Sequence, residues 1–251
     1  MELRSTPVRS EKLHTRVTAL LARQVIEADQ ARTPVVFPRE ADLSRQLGVS
    51  RTVLRESMKV LADKGMVEMK PRTGTRARPR SQWRLLDPDI LAWQAEVSPD
   101  ARFLRDLCEV RLAIEPTAAG FAAVRGTAEE IAKIERCLKR RESVLKTANL
   151  EQAIDLDLDF LAEVVNASHN PLLQQLSATI RAPLRIALSY TSRYRANVQL
   201  DLEAHRTLLE SLFKRDPIGA KRAAEEAVGL AMLAVEKVAR APKSRQRQTA
   251  L

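Results

Sequence analysis

FPREADLSRQLGVSRTVLRESMKVLADKGMVEMKPRTGTRARPR, residues 37–80, decides the fold of the first part of the chain. Pro34 and Pro38 break any helix before it, and a short helix is expected from about Glu40 to Leu47. The turn Gly48-Val49-Ser50 follows, then a second helix from Arg51 to about Lys64 that stops at Gly65, a natural helix C-terminus. Two short helices joined by a tight turn containing glycine make a helix-turn-helix. The segments MVEMK and TRARP flank Thr73-Gly74 and are short enough to form a two-stranded wing.

Turning residues 51–61 on a helical wheel at about 100° per residue separates two arcs. Arg51, Thr52, Arg55, Glu56 and Lys59 lie on one, while Val53, Leu54, Ser57, Met58, Val60 and Leu61 lie on the other. The apolar arc is suited to pack on Leu43, Leu47 and the preceding helix. The polar arc offers guanidinium forks and a small hydroxyl, the groups that read guanine edges and phosphates in a major groove. Ser50 is a good N-cap at an exposed helix start, which also suits a phosphate contact. On the wing, Arg72, Thr73, Gly74 and Arg76 can approach the DNA backbone or minor groove, since Gly74 has no side chain. A charged arc on a helix is most often only a solvated face. Charge placement decides against that reading.

The chain has 251 residues and a formal net charge of +10. Residues 1–80 hold 17 Lys/Arg against 9 Asp/Glu, and the remaining 171 hold 25 against 23, so the excess is concentrated in the first third. A basic module beside a near-neutral one points to a polyanionic partner. Outward from the helix-turn-helix, residues 13–29 carry Leu13, Val17, Leu20, Leu21, Val25 and Ile26 at helical spacing. PRSQWRLLDPD reads as a linker, and from Ile90 onward the pattern is helical with breaks at Pro, Gly and Asn. Six or seven helices and no convincing strand follow, hence an all-α bundle. The expected class is mainly α: a winged helix-turn-helix over 1–80, a linker over 81–89, a helical effector-binding and dimerisation domain over 90–241, and a basic disordered tail over 242–251.

No apolar run approaches the roughly 20 residues of a bilayer span, and MELRSTPVRSEKLH lacks the apolar segment of a secretory signal. Helix 13–29 pairs Arg16 and Arg23 with Glu27 and Asp29, too mixed for a lipid anchor. Cys108 and Cys137 fall where small apolar residues are expected and read as buried free thiols. The expectation is a cytoplasmic protein without membrane contact. Seven glycines leave little for phosphate-cradling loops, and no G-x-S-x-G or Cys/His pair appears, so an enzyme is the weaker alternative.

Residues 12–80 resemble the N-terminal signature of the GntR superfamily, through Phe37-Pro38, Glu40, Leu43, Gly48-Val49-Ser50-Arg51, Leu54-Arg55-Glu56, Leu61, Gly65 and Gly74-Thr75. The resemblance implies that Ser50, Arg51, Thr52, Arg55 and the wing around Gly74, with Arg72 and Thr73, touch double-stranded operator DNA. Many relatives carry an arginine where Ala41 stands here. Arg39 or Arg45 can substitute, though neither aligns with it, and Arg45 is included among the expected contacts.

Residues 82–240 resemble the FadR-type ligand-binding (FCD) domain, from SQWRLLDPDILAWQ through EVRLAIEPTAAGFAA to EAHRTLLESLFKRDPIGA. The first segment is similar to that of regulators of sugar-acid catabolism, galactonate-responsive repressors among them. The resemblance implies a homodimeric repressor controlled by a small anionic metabolite. Many such domains hold a divalent metal with an Asp, a His four residues later, and two further His. Here Asp157 and His205 fill two positions, while Leu161 and Ala227 replace the other two, so no metal or other cofactor is expected and the site reads as vestigial. A metal-dependent sensor is the alternative. The expected effector residues are Arg111, Asp157, Arg185 and His205. Arg111 has a competing reading, a surface salt bridge with Glu115 at i+4. Arg181 and Arg185 share a helix face near Tyr190 and Thr191, either as a cationic pocket or as a solvent-facing arginine ladder. His169, beside Asn170-Pro171, reads as a capping residue.

Overall fold

The computed structural model describes residues 8–70, 74–97, 100–147, 149–191 and 195–240. Two compact units divide the chain, one ending at Ser98 and the other beginning at Pro99. The predicted tail lies outside the described residues, as do Arg72 and Thr73.

The first unit is the expected winged helix-turn-helix. Helix α1 (Val8–Gln30) presents Leu21, Ala22, Val25 and Ile26 to a core shared with α2 (Glu40–Leu47) and α3 (Arg51–Asp63). Leu54, Met58 and Leu61 of α3 recur at helical spacing on the inner face and are essentially fully buried. The α2–α3 turn depends on Gly48, whose φ of 65° is left-handed. Its N–H and that of Val49 return to the Arg45 and Ser44 carbonyls at 3.2 and 3.0 Å, closing α2. Ser50 then starts α3 by accepting the Val53 N–H at 3.2 Å. Strands β1 (Val67–Lys70) and β2 (Gly74–Ala77) pair antiparallel from Val67↔Ala77 to Lys70↔Gly74, forming the wing. Val36 bridges Arg76 on its outer side.

Residues that the sequence assigns to a linker are held by this unit. A 3-10 turn (Arg80–Gln82) leads to Trp83, which is buried and donates from Nε1 to the Arg78 carbonyl at 2.9 Å. Asp87 caps α4 (Pro88–Glu96), whose Ile90 and Trp93 enter the first core. Lys64, just past α3, explains why. Its ammonium lies 2.7 Å from Asp87 and 2.8 Å from Asp89, and 5.8 Å above the Trp93 ring. Although burial pulls the Lys64 pKa down, these carboxylates outweigh it and raise it. The compact first unit therefore extends past Ile90, where the sequence reading opens the second domain.

Gly65, at φ 77°, is the pivot between α3 and the wing. A Cβ built there would stand 2.3 Å from the Gln82 carbonyl oxygen, which is backbone and cannot swing away. Gly65→Ala is expected to destabilise the first unit by roughly 2–4 kcal/mol through left-handed strain and this clash. Urea unfolding followed by circular dichroism measures it, and an unchanged midpoint contradicts the geometry.

The second unit holds six helices among its described residues: α5 (Ala101–Arg125), α6 (Ala128–Lys146), α7 (Leu150–Asn166), α8 (Pro171–Thr191), α9 (Arg195–Phe213) and α10 (Pro217–Arg240). Small residues on α5 (Ala118, Ala119, Ala122, Ala123) and on α10 (Ala220, Ala223, Ala224) are all buried, which lets these two helix backbones approach closely. Thr127 and Glu130 form a reciprocal capping box that starts α6. Phe160, Ile134, Leu104 and Leu212 are the large side chains sealed in the core. Both cysteines are free thiols; Cys108 is buried as expected, whereas Cys137 is only half-buried.

Candidate nucleic-acid interface and buried sensor cluster

The outer face of α3 carries Arg51, Thr52 and Arg55, all exposed. Neither arginine makes an ion pair among the described residues. Lys59 is instead held by Glu56 at 2.8 Å, and Arg45 by Asp42 at 3.3 Å on α2. Both are exposed pairs, weak enough for a phosphate to displace. An open cleft of about 690 Å³ joins Arg55 of α3 to Lys70, Gly74 and Thr75 of the wing, with Arg39 and Glu40 at its edge. Gly74 begins β2 at φ 86°. Helix and wing thus share one concavity in which Arg39, Arg55 and Lys70 outnumber the single acid, Glu40. No fold-level cause is needed to expose these side chains, because Leu54, Met58 and Leu61 use the opposite face.

The second unit buries an ionic cluster drawn from three helices. Arg141 of α6 reaches Asp157 of α7 at 2.8 Å, Asp201 of α9 at 2.6 Å, and Nδ1 of His205, also on α9, at 2.9 Å. His205 is about 1% exposed and its ring lies 4.5 Å from that of Phe160. A guanidinium only donates, so when the His205 ring is neutral its Nδ1 accepts and Nε2 carries the proton. That Nε2 lies 3.8 Å from Asp201 Oδ1, beyond hydrogen-bonding reach, and has no other partner among the described residues. Arg141 Nε and Asp157 Oδ1 are likewise buried without a hydrogen bond, the latter close to Arg141 but misaligned. Burial pushes the Asp157 carboxyl up further than Arg141 draws it back. Burial also opposes ionisation of Asp201, but His205 and Arg141 together hold it below its ordinary value.

The expected effector residues separate. Asp157 and His205 come together, 3.4 Å apart. Arg111 forms a two-pronged pair with Glu115 at 2.6 and 3.1 Å, as its competing reading has it, but the pair is buried rather than on the surface. Arg185 is exposed and bound to Asp155 at 2.7 Å, while Arg181 holds Asp159 at 2.6 Å and the Leu158 carbonyl at 2.8 Å. The i,i+4 arginines of α8 thus meet i,i+4 aspartates of α7, which is the arginine ladder. Arg185 stands apart from the cluster for that reason. The side chains of Tyr190 and Thr191 lie outside the described residues. His169, at φ 50° after α7, engages Glu130 at 3.0 Å.

Two hollows adjoin this region. One of about 310 Å³ is lined by apolar residues of α5, α7 and α8, with Glu115, Asn166, Gln174, Ser177 and Arg181 as its polar groups. The other, about 10 Å³, lies among His205, Leu161, Ala224 and Ala227. Glu115, Leu161 and Val165 line both. Leu161 and Ala227, the residues in place of histidines, therefore do stand beside His205, and they make that side apolar.

Sequence reasoning missed Arg141 and Asp201, and both left a signal. Arg141 continues the buried stripe Ile131, Ile134, Leu138 of α6, where a basic residue is out of place. Asp201 precedes His205 by four residues, the acid-to-histidine spacing sought at Asp157. Asp157, Asp201 and His205 each offer a ligand atom, all within 4.8 Å of one another. A divalent ion on these donors would have to displace Arg141, which already bonds or contacts all three.

Comparison with known proteins gives the same two-part division. The model of the bacterial regulatory proteins, gntR family, matches residues 14–76, and that of the FCD domain matches residues 106–229. The galactonate operon transcriptional repressor of Escherichia coli K12 is 32% identical over 210 residues, covering 83% of this chain and 90% of the repressor. The putative L-lactate dehydrogenase operon regulatory protein of the same strain is 30% identical over 225 residues, covering 85% and 81%. Among solved structures, Lar, which controls expression of the Listeria monocytogenes agr system, is similar in fold with a TM-score of 0.60, 16% identity, and coverage of 94% and 99%.

Proposed function

We infer the function of this chain from the premise that it belongs to the bacterial gntR family, carries an FCD domain, and is a transcription regulator rather than an enzyme. We propose that it is a cytoplasmic repressor that binds a palindromic operator as a homodimer and is controlled by a small organic acid or sugar acid. The observation that carries the DNA half is the exposed Arg51/Thr52/Arg55 face of α3, whose Arg55 lines the same cleft as Gly74 and Lys70 of the wing. One recognition helix reads only a few base pairs, and twofold pairing supplies the rest of the specificity. Ser50, Arg45, Arg72 and Thr73 belong to the same proposed contact set.

The effector half is supported by a cavity of about 310 Å³, the size of a small-molecule site, with Arg181 on its wall. The similar proteins named for galactonate and L-lactate operons favour a hydroxylated acid. Ligand control requires the acid to prefer one dimer arrangement over another, and the cluster of Asp157, His205 and Arg141 is the part of the domain with polar atoms left to satisfy. A metal-dependent sensor has only the spacing of Asp157, Asp201 and His205 in its favour. No described helix is long and apolar enough to cross a membrane.

Fluorescence anisotropy on duplexes from beside the protein's own gene tests this reading. Nanomolar-range binding is expected, about a thousandfold or more tighter than to random duplex, with log K falling steeply and linearly against log salt. Adding sugar acids or short hydroxy acids is expected to shift the curve for one of them. Equal affinity for random duplex overturns the operator reading, and indifference to every acid overturns the effector class.

A further inference from the structure

We propose that Arg141 is the resident cation of the sensor cluster, so that this domain works without a metal ion. The inference does not depend on which effector the domain binds. Asp157, Asp201 and His205 present two carboxylates and an imidazole within 4.8 Å of one another, a donor set that a divalent ion accepts. Two carboxylates buried side by side require a cation to compensate them. Arg141 supplies it. Its guanidinium lies 2.8 Å from Asp157, 2.6 Å from Asp201 and 2.9 Å from His205, and its side chain is about 6% exposed. Arginine cannot lose its charge at any physiological pH, so it does not step aside by deprotonation as a lysine can. Beside His205 stand the apolar Leu161 and Ala227, with Phe160 against its ring, and the carboxylate that lines the same hollow, Glu115, is already held by Arg111 at 2.6 and 3.1 Å.

Charge distinguishes this arrangement from a metal centre. A dication with two carboxylates is neutral and can still take a ligand anion at an open coordination position, whereas one guanidinium with the same two carboxylates leaves a net negative charge and no such position. Any polar group reaching the cluster therefore meets hydrogen-bonding atoms, His205 Nε2 and Asp157 Oδ1, rather than an open coordination position.

Metal titration of the full-length protein tests the proposal, with three forms compared after dialysis against chelator. The wild type is expected to retain no zinc, nickel or cobalt and to keep its melting temperature and operator affinity in EDTA. Arg141→Lys keeps a cation among the carboxylates and is expected to behave likewise. Arg141→Ala frees the donors. It is expected to take up one equivalent of zinc, with melting raised by about 5 °C at saturation, and to bind cobalt with a visible absorption band. A stoichiometric ion in the wild type, or a folded Arg141→Ala protein that gains none, overturns the proposal. Should Arg141→Ala be unfolded with and without zinc, the wild-type titration alone decides.

Discussion

Arg55→Ala should abolish measurable operator binding while leaving the dimer intact. Arg55 lies in the second turn of α3, exposed and without an ion pair among the described residues, so the folded protein spends nothing on it. It also lines the cleft shared with the wing, which makes it the α3 residue placed to engage DNA from both elements at once. A guanidinium fork on guanine or phosphate contributes about 1–3 kcal/mol per contact, and twofold symmetry removes two of them. Operator affinity is expected to fall at least a hundredfold, read by anisotropy, with sedimentation unchanged. Loss of the dimer along with DNA binding would remove Arg55 from the interface. Arg45→Ala, at a residue already engaged with Asp42, should fall severalfold at most.

The largest stability effect is expected at Arg111. The Arg111–Glu115 pair is buried, and although burial opposes charge on Arg111, the adjacent carboxylate raises its pKa well above the ordinary value. Arg111→Ala leaves Glu115 as an unpaired buried charge, which costs about 3–5 kcal/mol. Removing both charges with Arg111→Met and Glu115→Leu should recover most of that loss, because the cost lies in the orphaned partner. Arg185→Ala, at an exposed pair with Asp155, is expected to cost about 1 kcal/mol or less. Urea midpoints of the second unit separate the cases. Equal losses at Arg111 and Arg185 would contradict the burial argument.

Much of the first unit is legible in the sequence because its signals are local. Gly48 closes α2, Ser50 opens α3, Gly65 ends it, and Leu54, Met58 and Leu61 fix the inward face, each within a turn or two of the feature it sets. The attachment of α4 was not legible. It rests on Lys64 meeting Asp87 and on Trp93 packing into a core drawn largely from residues 17–67, contacts that no window of periodicity contains. The sensor cluster shows the same division in a harsher form. Leu161 and Ala227 could be read as lost ligands from spacing alone. What replaced the lost chemistry came from α6, and within LKRRES only the register of Ile131, Ile134 and Leu138 singles out the one arginine that turns inward. Arg185, flanked by apolar neighbours, is the reverse case. Its face meets α7 aspartates, and a pocket reading of single-helix spacing could not see them.

The ion pair at Lys64 has a mechanical consequence. Lys64 follows the last turn of α3, the proposed reading helix, and Asp87 begins α4, so one ammonium rivets the end of one to the start of the other. A torque applied to α4 is then delivered to α3 without slack in between, across the proline-flanked segment ahead of α4. In a regulator built this way, α4 is the handle of the reading head and not part of the cord.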